Sequence, residues 1–333
     1  MSRSIVWPGT GRLTLALLAV VPAVMAYPWR STRDYWLLGI AVAVVIVLFS
    51  WWRGLHLTTI LGRRLVMMFR RGESAAESDS DTSTTALVRI GPPAGDSDVL
   101  PLPLIARYLD CYGIRADTVR ITSRGNASGP RDTWIGLTIA AVDNLAALQA
   151  RSARIPLHET AAVAARRLAD HLREIGWEAS TVADEEVPRL VTSVGRETWC
   201  ALQQGGSDYL AAYRVSVDGA LTETLDAIRS DPAPETWTAL EIAGEPTNYT
   251  VAVACAFRTQ ARPEAGAPLA GLTPEGGNQL PALTALDLLS TRRLDGHTAA
   301  PADLLLRLNW PTPPTGAHRA PLTEAVTQVI TRT

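Results

Sequence analysis

Residues 157–176 read LHETAAVAARRLADHLREIG, and residues 177–182 continue as WEASTV. In the first stretch Ala161, Ala164, Ala165, Leu168, Leu172 and Ile175 recur at the period of an amphipathic helix and form one apolar face. Arg166, Asp170 and Glu174 lie four apart on an exposed face. Gly176 stands where a helix end takes a left-handed residue, and WEASTV then reads as a strand. Upstream, TVRIT (118–122) and TWIGLTIAA (133–141) are two strands joined by the turn-rich SRGNASGPRD (123–132). ALVRI (86–90) is a further strand, and Pro101–Tyr112 reads as a helix.

The second half has the same flavour. ETWCALQQGGSDYLAAYRVSV (197–217) reads as a hairpin around Gly205-Gly206, and LTETLDAIRS (221–230) as a short helix opening near Asp218 and Gly219. ETWTALEIAGEPTNYTVAVACAFRT (235–259) is another hairpin. In it Tyr249, Val251, Val253, Cys255 and Phe257 alternate onto one face. Helices are expected at 281–293 and 301–308, followed by a proline-rich, irregular 309–321. Strands that come mostly as hairpins with helices between them predict an α+β domain over 86–333. Its sheet is mixed or antiparallel, and two similar lobes are one arrangement that fits, though no sequence repeat is strong enough to assert duplication.

The N-terminal quarter has a different character. Residues 35–52, YWLLGIAVAVVIVLFSWW, carry no charge, and 18 residues of helix span about 27 Å, close to a hydrocarbon core of ~30 Å. Residues 13–27, LTLALLAVVPAVMAY, are shorter, contain Pro22, and read either as a second span or as the apolar core of a cleaved leader ending at Val24-Met25-Ala26. With PWRSTRD between them the two segments fit a transmembrane hairpin. Trp7, Trp29, Trp36, Trp51 and Trp52 sit at the segment ends, where an interfacial aromatic belt belongs. Arg30 and Arg33 lie in the short loop, against Arg3, Arg12, Arg53, Arg63, Arg64, Arg70 and Arg71 outside it. The arginine bias places both termini and the main domain in the cytoplasm. Leu57, Ile60, Leu61, Leu65 and Met68 fall at helical spacing, so 53–71 reads as a basic amphipathic segment on a membrane or partner, or as a plain stop-transfer tail. Residues 72–85, GESAAESDSDTSTT, read as a flexible linker.

Chemistry is hard to find. The chain has 333 residues and a formal charge of −2, with no global field to recruit nucleic acid. Every basic residue is arginine, so no Gly-rich loop ending in Gly-Lys can be present. Cys111, Cys200 and Cys255 are dispersed and odd in number, without a Cys-x-x-Cys pair, and read as small buried hydrophobes in a reducing compartment. His158-Glu159 begins a zinc-protease motif, but Ala162 stands where the second histidine is needed. His171 and Glu174 share a helix face without a third ligand. Asp79-Ser-Asp81 has the look of a glycosyltransferase metal motif but sits in the linker, which offers no rigid support. GGSDY and GNASG miss the nucleophile-elbow spacing and read as turns. No catalytic, cofactor-binding or metal residue is assigned.

The order of features resembles a known family. A membrane hairpin, an exit carrying WWRG (51–54) and GRR (62–64), and a cytoplasmic α+β domain are similar to the EccE component of type VII (ESX) secretion systems. The likeness is strongest in ARYLDCYGIRADTVRITSRG (106–125) and in residues 133–180, from TWIGLTIAA through the helix to WEAS. It is most like the short EccE of the mycobacterial metal- and siderophore-linked ESX system. The resemblance covers essentially the whole chain, although the C-terminal region is shorter than in the longer relatives.

That resemblance implies a structural subunit of an inner-membrane core complex, with EccB, EccC (an ATPase) and EccD as partners and no catalytic residues to carry over. The alternatives are a membrane-anchored, glycosyltransferase-like transferase and a module that binds substrate or chaperone at an exposed strand edge. Under the main reading the residues expected to contact anionic lipid or partners are Trp51, Trp52, Arg53, Arg63, Arg64, Arg70 and Arg71.

Overall fold

The computed structural model describes residues 82–310, apart from 94–98, 127–130, 152–155, 194, 246–247 and 302, together with scattered positions between 17 and 64. The chain divides into two units, Met1–Glu73 and Ser74–Thr333.

In the first unit, residues 17, 18, 20, 21, 24 and 25 are helical, as are 35, 36, 38–42, 45, 63 and 64. Trp51–Trp52 (β1) and Leu55–His56 (β2) pair antiparallel, Trp51 opposite His56 and Trp52 opposite Leu55. The expected segment 35–52 therefore does not run helical to its end. Arg53 and Gly54 separate the two strands in sequence. No helix formed by the described residues is long and apolar enough to cross a membrane. Most of the expected span 13–27, eight residues of the expected span 35–52, most of the segment 53–71, and the linker from 72 to 81 lie outside the described residues.

The second unit is α+β, and its sheet is antiparallel throughout. Its elements are β3 (Ser83–Pro93), α1 (Leu102–Ala106), β4 (Asp110–Cys111), β5 (Ile114–Arg115), β6 (Thr118–Asn126), β7 (Asp132–Ala140), α2 (Leu145–Arg151), α3 (Leu157–Glu174) and β8 (Trp177–Thr181). They continue as β9 (Arg196–Glu197), β10 (Leu202–Gln203), β11 (Tyr209–Val215), α4 (Leu221–Arg229), β12 (Glu235–Glu245) and β13 (Asn248–Thr259). The last are β14 (Leu272–Pro274), α5 (Gln279–Leu286), β15 (Thr298–Ala299) and α6 (Leu304–Arg307).

The main sheet has the order β8-β3-β7-β6-β12-β13-β11-β10-β9, with β14 on β11 and β15 on β13. This order contains a duplication invisible in the sequence. The strands β3, β6, β7 and β8 lie side by side as β6-β7-β3-β8, and β11, β12, β13 and β14 lie as β12-β13-β11-β14. In both units of four the chain order 1-2-3-4 becomes the spatial order 2-3-1-4. Their second strands, β6 and β12, pair antiparallel from Thr118↔Ala243 to Asn126↔Glu235, joining the two lobes into one sheet. The lobes differ in their connections. The first crosses from its third to its fourth strand through α3, whereas the second does so through residues 260–271 without a helix.

Alternation along the strands divides the core in two. Val88, Ile90, Ile135, Leu137, Leu240, Ile242, Val253 and Cys255 face one cluster, covered by α1, α3, α4 and α6. Leu87, Trp134, Leu210, Trp237, Ala239 and Ala252 face the other, covered by α5 and by Val187, Leu190, Leu288 and Leu294. The expected face of α3 is buried at Ala161, Ala165, Leu168 and Leu172, but Ile175 follows the helix end and is exposed. Gly176 takes φ +91° as expected. The hairpin around Gly205-Gly206 forms with Gln203 opposite Tyr209, and Tyr249 through Phe257 line the first cluster as predicted. The helix expected at 281–293 ends at Leu286, because Asp287 is extended. The one expected at 301–308 shrinks to Leu304–Arg307.

The second face also buries charge. At the junction of the lobes the Arg120 Nε donates to Glu241 Oε2 at 2.8 Å, with both side chains almost wholly buried. Glu241 Oε1 accepts from the Leu294 amide at 2.9 Å and lies 2.9 Å from His297 Nε2. Arg120 Nη1 donates to the Ala285 carbonyl at 2.6 Å. Farther along, Glu235 is held between Arg124 and Arg258, and Arg258 reaches Asp208 at 2.7 Å. Burial pushes the Glu241 carboxyl up, but Arg120, His297 and the Leu294 amide outweigh it and hold it below its ordinary 4.5. Burial likewise opposes, and Arg258 and Arg124 reverse, the shift at Glu235. Both folded values are depressed, so the stability these carboxylates contribute is complete above about pH 4.5 and lost as pH falls through the folded values. Urea midpoints should be flat in this respect from pH 7 to pH 5 and drop below about pH 4.5. The Glu241→Gln variant should show a shallower drop.

Candidate functional site

The turn between β4 and β5 opens the most informative surface of the domain. Residues 101–112 are not one helix. Leu102–Ala106 is followed by a 3-10 turn at Arg107–Leu109 and then by extended backbone at Asp110. Cys111 pairs with Ile114, which leaves Tyr112 and Gly113 as a two-residue turn with φ of +56° and +70°. That geometry fits the tight hairpin turn that asparagine or glycine normally occupies. Tyr112 is the one non-glycine residue with positive φ among the described residues, and such a conformation costs about 1–3 kcal/mol in a bulky side chain. Its ring is nonetheless 62% exposed, so core packing does not repay the strain.

Tyr112 stands at the mouth of a cleft of about 200 Å³ between the β4–β5 hairpin, β7 and α3. Ile114, Ala116, Leu137, Ile139, Val163 and Ala164 make its apolar walls, with Pro156, Thr160 and Cys111 beside them. Arg167 stacks its guanidinium 4.7 Å from the centre of the Tyr112 ring. Tyr108, also lining the cleft, donates from its hydroxyl to the Arg167 carbonyl at 3.1 Å. Burial, with Tyr112 next, raises the Tyr108 phenol to about 12, so it remains a donor across the physiological range. Glu159, two turns before Arg167 on α3, also lines the cleft. Asn144 is bonded to the Arg115 amide at 2.8 Å and to the Arg115 carbonyl at 2.7 Å. This holds the exposed Val142 and Leu145 beside the same hairpin.

The chemistry available here is recognition: an apolar hollow lined by aromatic rings, a cation and an anion. Among the described residues no group of three or more metal-ligating side chains occurs. Cys255 is fully buried and its thiol is pushed up by that burial. Cys111 and Cys200 are only half-buried, contrary to the expectation of three core cysteines. His158 lies near Thr84 and His171 near the Tyr108 hydroxyl, each at 3.4 Å. The Asp79–Asp81 motif is outside the described residues.

Of the residues expected to contact lipid or partners, the structure brings Trp51 and Trp52 into one short hairpin. Arg63 and Arg64 are consecutive helical residues. Arg53, Arg70 and Arg71 lie outside the described residues. The cleft was missed from sequence because Tyr112 looked like the last residue of a helix. The available signal was Asp110 followed by the Tyr112-Gly113 pair, a turn signature at the edge of an apolar run.

Comparison with known proteins places these features in a family. A family model described as type VII ESX secretion system translocon, EccE, matches residues 127–215, which carry β7, α3, β8 and β11. The chain is 67% identical over 325 residues to an ESX-3 secretion system protein EccE3 of Mycobacterium tuberculosis (strain CDC 1551 / Oshkosh), across 97% of this chain and 98% of the relative. The same protein from strain H37Rv is also 67% identical over 325 residues. An ESX-3 secretion system protein EccE3 of Mycolicibacterium smegmatis is 51% identical over 299 residues, covering 90% of this chain and 94% of its own. Identity at that level over nearly the whole of both chains is the outcome the sequence resemblance implied, and the chain belongs to the EccE family.

Proposed function

We propose that this chain is a structural subunit of the membrane core of an ESX-3-type VII secretion system, supporting assembly of the export machine rather than catalysing a reaction. The observation that carries the reading is end-to-end likeness to relatives named as ESX-3 secretion system proteins. The buried charges of the domain are consistent with it. Glu235, Glu241, Arg120 and Arg258 are spent on one another and on backbone groups that hold the lobes together. EccB-, EccC- and EccD-type subunits are the partners this reading implies, EccC being the ATPase. The place is the bacterial inner membrane, with residues 13–52 as the anchor and the domain from 86 onward in the cytoplasm. The relatives' names favour this reading over the anchored transferase.

The direct test is gentle detergent extraction from native membranes through a C-terminal tag, followed by native electrophoresis and mass spectrometry. A very large species containing an ATPase and a multi-span channel protein supports the subunit reading. A small species running alone, where other membrane complexes survive, refutes it. Within this reading Trp51, Trp52, Arg53, Arg63, Arg64, Arg70 and Arg71 form the joint between anchor and domain. Each arginine near an anionic leaflet contributes roughly 1 kcal/mol. The double variant Arg63→Glu, Arg64→Glu reverses both charges, so it should deplete the large species several-fold while leaving the thermal transition of the domain in place. An intact complex from this variant refutes the assignment of these residues.

A further inference from the structure

We infer that the cleft between the β4–β5 hairpin and α3 is a docking pocket for a peptide segment of a neighbouring protein, one presenting an aliphatic anchor with a carboxylate within about one helical turn of it. The inference rests on the reading of this chain as a subunit of a larger assembly. It deepens that reading by naming a surface and the chemistry that fills it.

Size favours a small apolar anchor. The cleft holds about 200 Å³, below the roughly 300–1,000 Å³ of small-molecule and cofactor sites, yet enough for one or two aliphatic side chains. Its walls, among them Ile114, Leu137, Ile139 and Val163, offer apolar contact. Tyr112 at the cleft is exposed, as are Val142 and Leu145 in the segment that Asn144 ties to the hairpin at Arg115. Exposed apolar side chains beside an apolar hollow with a polar rim are the mark of an interaction site.

Charge selects the partner's sign. Arg167 stacks on the Tyr112 ring at the cleft. A guanidinium held flat by an aromatic face keeps its outer edge for a carboxylate, which it binds in two-pronged fashion. Glu159, two turns away from Arg167 on α3, repels a second anion and so favours one direction for the segment. Tyrosine and arginine are both among the residues enriched at the centre of protein interfaces.

The strain at Tyr112 supplies the independent observation. Asparagine in that turn would suit the backbone better and would leave the fold intact. A tyrosine kept there at a cost to the domain, and exposed, is explained if its ring is part of a contact made outside the domain.

The test uses the full chain in its native membranes, with the photo-cross-linking residue p-benzoylphenylalanine replacing Val163 and, as a control, Glu185. Cross-linked peptides are sequenced by mass spectrometry, and the native assembly is run from the same sample. The expected result is one predominant cross-link from position 163, absent from 185. It should join a segment of another subunit with an aliphatic residue and an Asp or Glu within four positions. Arg167→Glu and Tyr112→Asn should each cut its yield about tenfold. The thermal transition of Tyr112→Asn should stay unchanged or rise, which a merely structural role for the tyrosine would not produce. A cross-link to lipid, to this chain itself or to a segment lacking a carboxylate overturns the proposal. So does a yield indifferent to Arg167→Glu, or no cross-link while the large assembly is intact. Absence of the large assembly in the unmodified protein instead removes the subunit reading, and the docking pocket with it.

Discussion

Replacing Arg120 with methionine should destabilise the domain by about 3–5 kcal/mol, because it leaves the Glu241 carboxylate charged and buried without its main partner. The side chains are 4% and 0% exposed, so water cannot take over. They belong to β6 and β12, the strands through which the two lobes join, and the pair sits directly opposite in the register. The loss should therefore appear as weakened cohesion between lobes as well as a lower urea midpoint. Glu241 would keep the Leu294 amide and His297, which soften the penalty without removing it. The double variant Arg120→Met, Glu241→Leu should recover much of the loss, since it removes both charges together. It should still fall short of the parent by about 1–3 kcal/mol, because the Ala285 and Arg292 carbonyls lose their donor. A double-mutant cycle by urea denaturation measures the coupling directly. Near-neutral behaviour of Arg120→Met alone would mean that the lobes are not joined through this pair.

Trp237→Ala should cost about 3–5 kcal/mol, the range for truncating a large buried aromatic. Trp237 is fully buried, stacks on Trp134 with ring centres 6.3 Å apart, and carries the Arg124 guanidinium at 5.6 Å. These contacts link β12 to β7 across β6, so the indole packs over the strand junction that Arg120 and Glu241 bridge by charge. Its Nε1 is buried without a hydrogen-bond partner among the described residues. Trp237→Phe removes that unpaired donor as it removes volume, and should cost only roughly 1 kcal/mol. Chemical denaturation with near-ultraviolet circular dichroism checks both, because the Trp134–Trp237 stack should vanish from the spectrum in either variant. A Phe loss well above roughly 1 kcal/mol would show that the indole nitrogen is satisfied after all.

Local signals in the sequence carried a good part of the fold. The 3.6-residue period of 157–174 with Gly176 behind it defined α3. Alternation from Tyr249 to Phe257 placed β13 on the first cluster, and Gly205-Gly206 located the β10–β11 turn. Each of these depends on neighbours in the chain, so periodicity and turn chemistry suffice. Signals failed where a boundary depended on distant contacts. The strand expected from Ala86 begins at Ser83, since Thr85 is buried against Thr138 at 2.9 Å. The helix expected to reach Arg293 stops at Leu286, because Arg120 and the Leu190 amide draw on the backbone and the carboxylate around Asp287. The cleft failed for the same reason. Tyr112, Arg167 and Leu137 are far apart in sequence and share no local pattern.

By itself, then, the sequence determined the α+β class, the hairpin character of the strands, the main amphipathic helix and the family, because these follow from side-chain order and from end-to-end likeness. The tertiary structure alone decided that two units of four strands share one connectivity, that Arg120 meets Glu241 where they join, and that a strained Tyr112 guards an apolar cleft on α3. Those facts depend on which strands lie side by side. Strand pairing is a choice among distant segments that burial and register make together, and no short stretch of chain records it.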